Sequence, residues 1–202
     1  MVFVHAVIAG IVLAGGGARR MGGGDKGLLP LDGRPMLAHV TDRLRPQVVR
    51  LAINANGDAA RFAGFGLPVI ADAPGPAAGP LAGVLAGMRW AAGFPFLATA
   101  ACDTPFLPMD MVRRLGEALK DHDVAVAASG GRTHPTAALW RTDLADALAA
   151  DLAAGRAAGV HRWLAGRRVV EVAFTGDPDP FTNVNTPDDL ATAAGLLHRT
   201  GV

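Results

Sequence analysis

From residue 15 to residue 27 the chain reads Gly-Gly-Gly-Ala-Arg-Arg-Met-Gly-Gly-Gly-Asp-Lys-Gly, so Arg19, Arg20 and Lys26 are embedded in a glycine run. Glycine lets a backbone approach a ligand and aim amide N–H groups at it, and cations supply the charge that a polyphosphate needs. The pattern points to phosphate binding. The competing reading, a plain surface loop, gives no reason for cations set inside the glycines. Two familiar phosphate motifs are excluded. Residues 22–27 fit G-x-G-x-x-G, but they begin eight residues after Ala14, where the preceding apolar run ends. A dinucleotide fingerprint needs its first glycine at the strand–helix turn itself. No Gly-Lys-Ser/Thr occurs in the chain, which excludes a Walker A loop.

Other chemically able residues stand where apolar runs end. Asp103 follows one such run, in Cys102-Asp103-Thr104-Pro105. A carboxylate there suits Mg²⁺, which keeps several waters and takes one or two protein carboxylates; the alternative is a turn aspartate before a helix. Asn54 and Asp72 end two further runs. Either alone reads as a turn residue, but two at matching strand ends suggest one nucleoside pocket. A carboxylate such as Asp72 is able to accept both the N1–H and the amino group of guanine. Residues 74–83 form a second Gly/Pro cluster, read as a stiff, close-fitting loop or a plain connection into a helix. In Asn183-Val184-Asn185 an extended backbone turns both amides one way and Val184 the other. Thr186 is expected to cap the next helix and leave those amides free. His134, in His-Pro-Thr, reads as structural or as an acceptor contact. Cys102 reads as a buried strand residue, and the three tryptophans as core.

Short apolar runs alternating with helical patterns must position these groups. Strands are expected at 6–14, 48–54, 68–71, 96–102, 124–128, 136–140 and 169–174, with the two around Gly130-Gly131 flanking a turn. Helices are expected at 35–44, 81–92, 109–119 and 143–154, a short one beginning at 58–62, and a last one opening at Thr186-Pro187-Asp188-Asp189. Leu144, Leu148 and Leu152 share a face of the fourth, and Gly155 stops it. The alternation implies an α/β fold: one Rossmann-like domain over 1–202, a mainly parallel sheet with helices on both faces. Ligands of such sheets sit at the C-terminal strand ends, where the residues named above fall.

Composition narrows the function classes. Half of the 202 residues are hydrophobic and 18% are charged, which excludes disorder. The 26 glycines and 14 prolines are about a fifth of the chain, an excess that belongs in working loops. A net charge of +1 offers no global field for nucleic acid or a membrane surface. One cysteine excludes an internal disulfide and suits a reducing, cytoplasmic setting. Residues 1–18 are uncharged, but Arg19 and Arg20 follow the apolar run instead of preceding it, unlike a signal peptide.

Taken together, Leu13-Ala14-Gly15-Gly16, Arg19, Met21-Gly22, Asp25-Lys26 and Gly33-Arg34-Pro35 resemble the signature of nucleotidyltransferases. The order of Pro-Gly-Pro…Gly-Pro-Leu-Ala-Gly (74–83), Cys-Asp-Thr-Pro (102–105), His-Pro-Thr-Ala-Ala-Leu (134–139) and Asn-Val-Asn-Thr-Pro-Asp-Asp-Leu (183–190) is similar to the molybdenum cofactor guanylyltransferases, over nearly the whole chain. That resemblance implies the nucleotide-diphospho-sugar transferase fold and transfer of GMP from GTP to molybdenum-bound molybdopterin. It implies GTP binding by Leu13, Ala14, Gly15, Lys26, Asn54, Asp72 and Asp103, and Mg²⁺ on Asp103. Lys26, Arg19 and Asp103 would be the catalytic set, with Asn183 and Asn185 toward the pterin acceptor. Other proteins of molybdenum cofactor biosynthesis are implied as partners. The chain departs from the family pattern at 154–163, which is alanine-rich with Arg156, His161 and Arg162. The rival expectations are a cytidylyltransferase for the same pterin, a sugar-phosphate nucleotidyltransferase, and a nucleotide-binding regulator without turnover.

Overall fold

A computed structural model describes residues 8–15, 24–72 and 79–200, and the side chain of Thr200 is not among them. The chain begins with β1 (Ile8–Leu13), a small hairpin of β2 (Pro30–Leu31) and β3 (Arg34–Pro35), α1 (Met36–Leu44), β4 (Arg50–Asn54) and β5 (Val69–Ile70). It continues through α2 (Pro80–Trp90), β6 (Phe96–Ala101), α3 (Met111–Leu119), β7 (Val124–Ser129) and β8 (Arg132–Arg141). It ends with α4 (Ala145–Ala153), α5 (Val160–Leu164), β9 (Val169–Ala173) and α6 (Pro187–Thr200).

β1 is buried at every position and lies between β4 and β6, parallel to both. A continuously apolar strand is what a site covered on both faces requires. Its side chains alternate. Ile8 and Val12 join a core with Leu37, Val40 and Leu44 of α1 and Val112, Leu115 and Leu119 of α3. Ala9, Ile11 and Leu13 face the opposite core, with Leu81, Val84, Leu85 and Met88 of α2, Leu148 and Leu152 of α4, and Trp163 of α5. Helices therefore cover both faces, as expected. Trp140 and Trp163 lie in the second core, each indole N–H bonded, to Thr99 Oγ1 at 2.9 Å and to Asp151 Oδ2 at 3.0 Å.

The main sheet runs β5-β4-β1-β6-β8-β7-β9. The first four strands are parallel, whereas β8 is antiparallel to both β6 and β7. The reason lies in the turn: Gly130 and Gly131 both take positive φ, 54° and 74°, which closes a tight hairpin and reverses the chain. β9 then pairs parallel to β7. Three details were not expected from the pattern. Asp32 and Gly33, with φ of 51° and 74°, turn the β2–β3 hairpin. α5 occupies part of the alanine-rich stretch, its pattern being too short to read. α3 begins at Met111, after Asp110, two residues later than expected. Among the described residues no helix is long and apolar enough to cross a membrane.

α6 packs through Ala193 and Leu197 on a small core with Leu31, Met36, Phe106 and Val184. Its N-terminus is closed reciprocally. Asp189 N–H donates to Thr186 Oγ1 at 3.1 Å, and the Asp189 carboxylate accepts from the N–H groups of Asn185 and Thr186 at 2.8 and 2.9 Å. These donors, the Asn185 N–H foremost, hold the Asp189 carboxyl below its ordinary range. Its stabilising contribution is therefore complete above the ordinary aspartate pKa and is lost as pH falls through the lowered value. Thr186→Ala is expected to cost about 1 kcal/mol in urea unfolding. Asp189→Asn should flatten the acid limb of stability against pH, while leaving its neutral-to-alkaline shape unchanged.

Candidate functional site

The C-terminal ends of three adjacent strands build the floor of the site. Leu13 is level with Asn54 of β4 on one side and with Ala101 of β6 on the other. Ala14 N–H bonds the Asn54 carbonyl at 2.8 Å, and Cys102 N–H bonds the Leu13 carbonyl at 3.1 Å. Leu13, Ala14 and Gly15 thus pass between Asn54 and Asp103, a closeness that only the parallel register provides.

Lys26 opens a single 3₁₀ turn, Lys26–Leu28, and is 9% exposed. Its ammonium lies 2.5 Å from Asp103 Oδ2 and 2.5 Å from Asn185 Oδ1. Three segments remote in sequence meet there: the end of the glycine loop, the end of β6 and the approach to α6. Val184 N–H donates to the Asp103 carbonyl at 2.9 Å, so the last two are also joined through backbone. Val184 itself is fully buried, pointing away from the amides as the extended reading expects. Thr186 caps α6 as expected, but the Asn185 amide is not free: it holds Lys26. Cys102 is buried next to this cluster, and burial pushes its thiol up to about 12, so it is a packing residue and not a nucleophile.

A second cluster lies at the β4–β5 edge. Asn54, 2% exposed, donates its amide to the Ile70 carbonyl at 3.1 Å and to Asp72 Oδ1 at 2.9 Å. Asn56 donates to Asp72 Oδ2 at 2.6 Å and accepts the Asp72 N–H at 2.9 Å. Asp72 is thus aimed by two asparagines, and Asn54 acts by orienting it. Gly83 of α2 lies against Asn54. A Cβ there would stand 2.1 Å from Asn54 Oδ1, so the helix can approach only as glycine. Sequence reading missed Asn56. Its spacing of two from Asn54 on an extended strand end was the available signal.

A third region is a cleft of about 940 Å³ bordered by β8, β9 and the Asn183 segment. Thr104, next to Asp103, and Asn183, two residues before Asn185, both line it, so the cleft adjoins the Lys26 cluster. Its wall includes His134, stacked on Phe181 with centroids 4.9 Å apart. The Ser129 hydroxyl lies 2.8 and 2.9 Å from the Asp179 carboxylate oxygens and 2.8 Å from His134 Nε2. With its one proton on the carboxylate side, the serine accepts from the imidazole. Serine in the middle of the relay is the wrong order for nucleophile activation. Burial lowers the His134 pKa against the opposing pull of Asp179, which favours the neutral ring. Ser129 and Asp179 carried no signal in the sequence, because they are 50 residues apart.

The structure therefore gathers Lys26, Asp103 and Asn185 at one point, runs Leu13, Ala14 and Gly15 along the end of β1 beside Asn54, joins Asn54 to Asp72 at the β4–β5 edge, and sets Asn183 in the adjoining cleft. Arg19, Arg20 and the rest of 16–23, with residue 73 and residues 74–78 of the second Gly/Pro cluster, lie outside the described residues. Among the described residues no group of three His, Cys, Asp or Glu side chains is disposed to hold a metal ion. Asp103 with Asn185 Oδ1 fits the sparser protein share of Mg²⁺, whose other ligands are waters and substrate phosphates.

The MobA-like NTP transferase domain profile matches residues 10–172. A molybdenum cofactor guanylyltransferase of Mesorhizobium japonicum is 53% identical over 199 residues, covering 94% of this chain and 96% of the relative. One from Rhodopseudomonas palustris is 51% identical, with 96% of each chain covered. A solved structure of molybdopterin-guanine dinucleotide biosynthesis protein A from Archaeoglobus fulgidus has the same fold, at a TM-score of 0.76 and 24% identity, over 95% of this chain and 99% of that one.

Gly83→Ala is expected to force Asn54 off Asp72 and to cost about 1–3 kcal/mol in denaturant unfolding, as overpacking does. Gly15→Ala should unfold like the unaltered protein, since among the described residues the nearest atom to its added Cβ is 3.9 Å away.

Proposed function

The chain belongs to the MobA-like NTP transferase family, and on that footing we propose that it transfers GMP from GTP to molybdenum-bound molybdopterin, releasing pyrophosphate. The observation that carries this reading is the position of Lys26. It stands where the end of the glycine-rich segment meets Asp103 and Asn185, beside the cleft that Thr104 and Asn183 line.

GTP lies across the strand ends. Its phosphates follow the backbone from Leu13 through Gly15 to Lys26, and Arg19 adds a second cation. Its guanine presents N1–H and the amino group to Asp72, held in place by Asn54 and Asn56. The acceptor occupies the adjoining cleft and reaches Asn183 and Asn185. Asp103 would hold Mg²⁺, which supplies positive charge for the α-phosphate and the departing pyrophosphate.

The acceptor phosphate oxygen attacks the α-phosphorus in line. One P–O bond forms, the bond to the β-phosphate oxygen breaks, and pyrophosphate carries away the electron pair. An acceptor phosphate is already ionised at neutral pH, so no protein base is needed. The chain's task is to bring two anions together. Lys26 and Arg19 neutralise charge in the transition state, and the glycine backbone fixes the geometry. Since Lys26 is engaged by Asp103 and Asn185, binding of phosphate exchanges one anionic partner for another instead of stripping the ammonium from water.

Pyrophosphate release from GTP is expected only when molybdenum-loaded molybdopterin is present, and Lys26→Ala should lower it by about 10²–10³-fold with the circular-dichroism spectrum unchanged. A clear preference for CTP would remove the guanine role from Asp72. Tight GTP binding with no release in the presence of acceptor would identify a regulator instead of an enzyme.

A further inference from the structure

Lys26 has an acidic neighbour on the chain, Asp25, and that charge sits one residue from the cation assigned to the phosphates. Arg61 takes it up as a fork, with Nε 2.5 Å from Asp25 Oδ2 and Nη2 3.0 Å from Oδ1. Two further N–H groups of the guanidinium are anchored to backbone. Nη1 donates to the Asp58 carbonyl at 2.8 Å and Nη2 to the Asn56 carbonyl at 2.9 Å. The group also lies 5.1 Å from the ring centroid of Phe62, a core residue 1% exposed. Gly57 makes room for it. Its φ is +82°, and a Cβ there would stand 3.1 Å from Nη1. Asn56, whose carbonyl accepts from Arg61, is the residue that grips Asp72 with its amide.

A pair with side chains 30% and 24% exposed adds little to folding stability. The arrangement is nonetheless elaborate: a planar fork on the carboxylate, two carbonyl anchors and an aromatic face, all on a residue that none of the chemistry above uses. Its effect falls on whatever binds at Lys26. An unpaired Asp25 carboxylate would oppose a bound triphosphate, and would compete for Lys26 itself.

We propose that Arg61 is a positioning residue for the donor triphosphate: it fixes and neutralises Asp25, so that Lys26 meets the phosphates unopposed and in register with the Asn56–Asp72 edge. This rests on the reading of Lys26 as a phosphate ligand. The residue acts through Asp25 and needs no contact with the nucleotide.

The test is calorimetric binding of GTP and GMP, with Mg²⁺, to the full-length protein and to Arg61→Ala, Arg61→Lys, Asp25→Asn and the double variant Arg61→Ala/Asp25→Asn. Arg61→Ala is expected to weaken GTP about tenfold and GMP, which lacks the β- and γ-phosphates, far less. Removing the carboxylate as well should restore most of the lost GTP affinity, and Arg61→Lys should fall in between. Arg61→Ala should also raise the KM for GTP more than it lowers kcat. A purely structural clamp gives a different pattern: equal losses for GTP and GMP, and a double variant no better than Arg61→Ala. Either result, or unchanged GTP binding in Arg61→Ala, overturns the role of Arg61 alone. Failure of the unaltered protein to bind GTP overturns the phosphate reading and this inference together.

Discussion

The ammonium of Lys26 is the point on which the rest of the arrangement depends. A lysine this enclosed is tolerated only when partners replace the water it has lost, and breaking such a cluster by removing one partner leaves a stranded charge. Asp103 and Asn185 supply those partners from segments 77 and 159 residues further along the chain. Asp103 is delivered by β6, which must therefore lie beside β1. Asn185 is delivered by the segment entering α6, held by the Val184 bond to Asp103 and by the reciprocal cap of Thr186 and Asp189. On the proposed reading, a phosphate arriving at Lys26 would find a cation already desolvated and aimed, which is preorganisation in the electrostatic sense.

Small residues make that convergence possible. Helix α2 carries glycine where it presses closely on the strands, at Gly83 against Asn54 and at Gly87 against Leu97 and Ile11. A Cβ at Gly87 would stand 2.9 Å from Leu97 Cδ2. The glycine excess of the composition is therefore spent in two ways. Part lies in the glycine-rich segment 15–27 of the sequence, and part lets α2 settle onto the strand ends so that Asn54 and Asp72 keep their geometry. The low net charge is consistent with this economy, since the cations that matter act locally.

The second half of the sheet has a separate task. Once the Gly130-Gly131 turn reverses the chain, β8 runs back beside β6 and carries His134 to the same edge as Asp103. The antiparallel pairing opens the cleft there, beside the parallel strands that carry the nucleotide reading. On the proposed reading, donor and acceptor sides are built from two different sheet geometries that share one strand, β6.

Much of this was legible beforehand, for identifiable reasons. The apolar runs and their polar ends gave the main-sheet strands to within about two residues, because burial leaves little freedom of composition. The exception is β8, which starts four residues earlier than its apolar run, at Arg132, since the polar residues 132–134 pair with β7 just after the Gly130-Gly131 turn. Asp103, Asn54 and Asp72 each alone allow a turn reading, and stood out because all three fall at matching ends of apolar runs. The cap at Thr186 and the stop at Gly155 are local chemistry and could be read locally. Contacts that depend on which strands become neighbours could not be. The reversal of β8, the grip of Asn56 on Asp72, the Ser129–Asp179 bond and the fork of Arg61 on Asp25 each join segments whose proximity only the folded sheet decides. Sequence alone determined the alternating elements, the glycine loop with its cations and the family to which they point. Tertiary structure alone decided which side chains hold those groups in place, because a hydrogen bond is set by distance in space, which sequence separation does not fix.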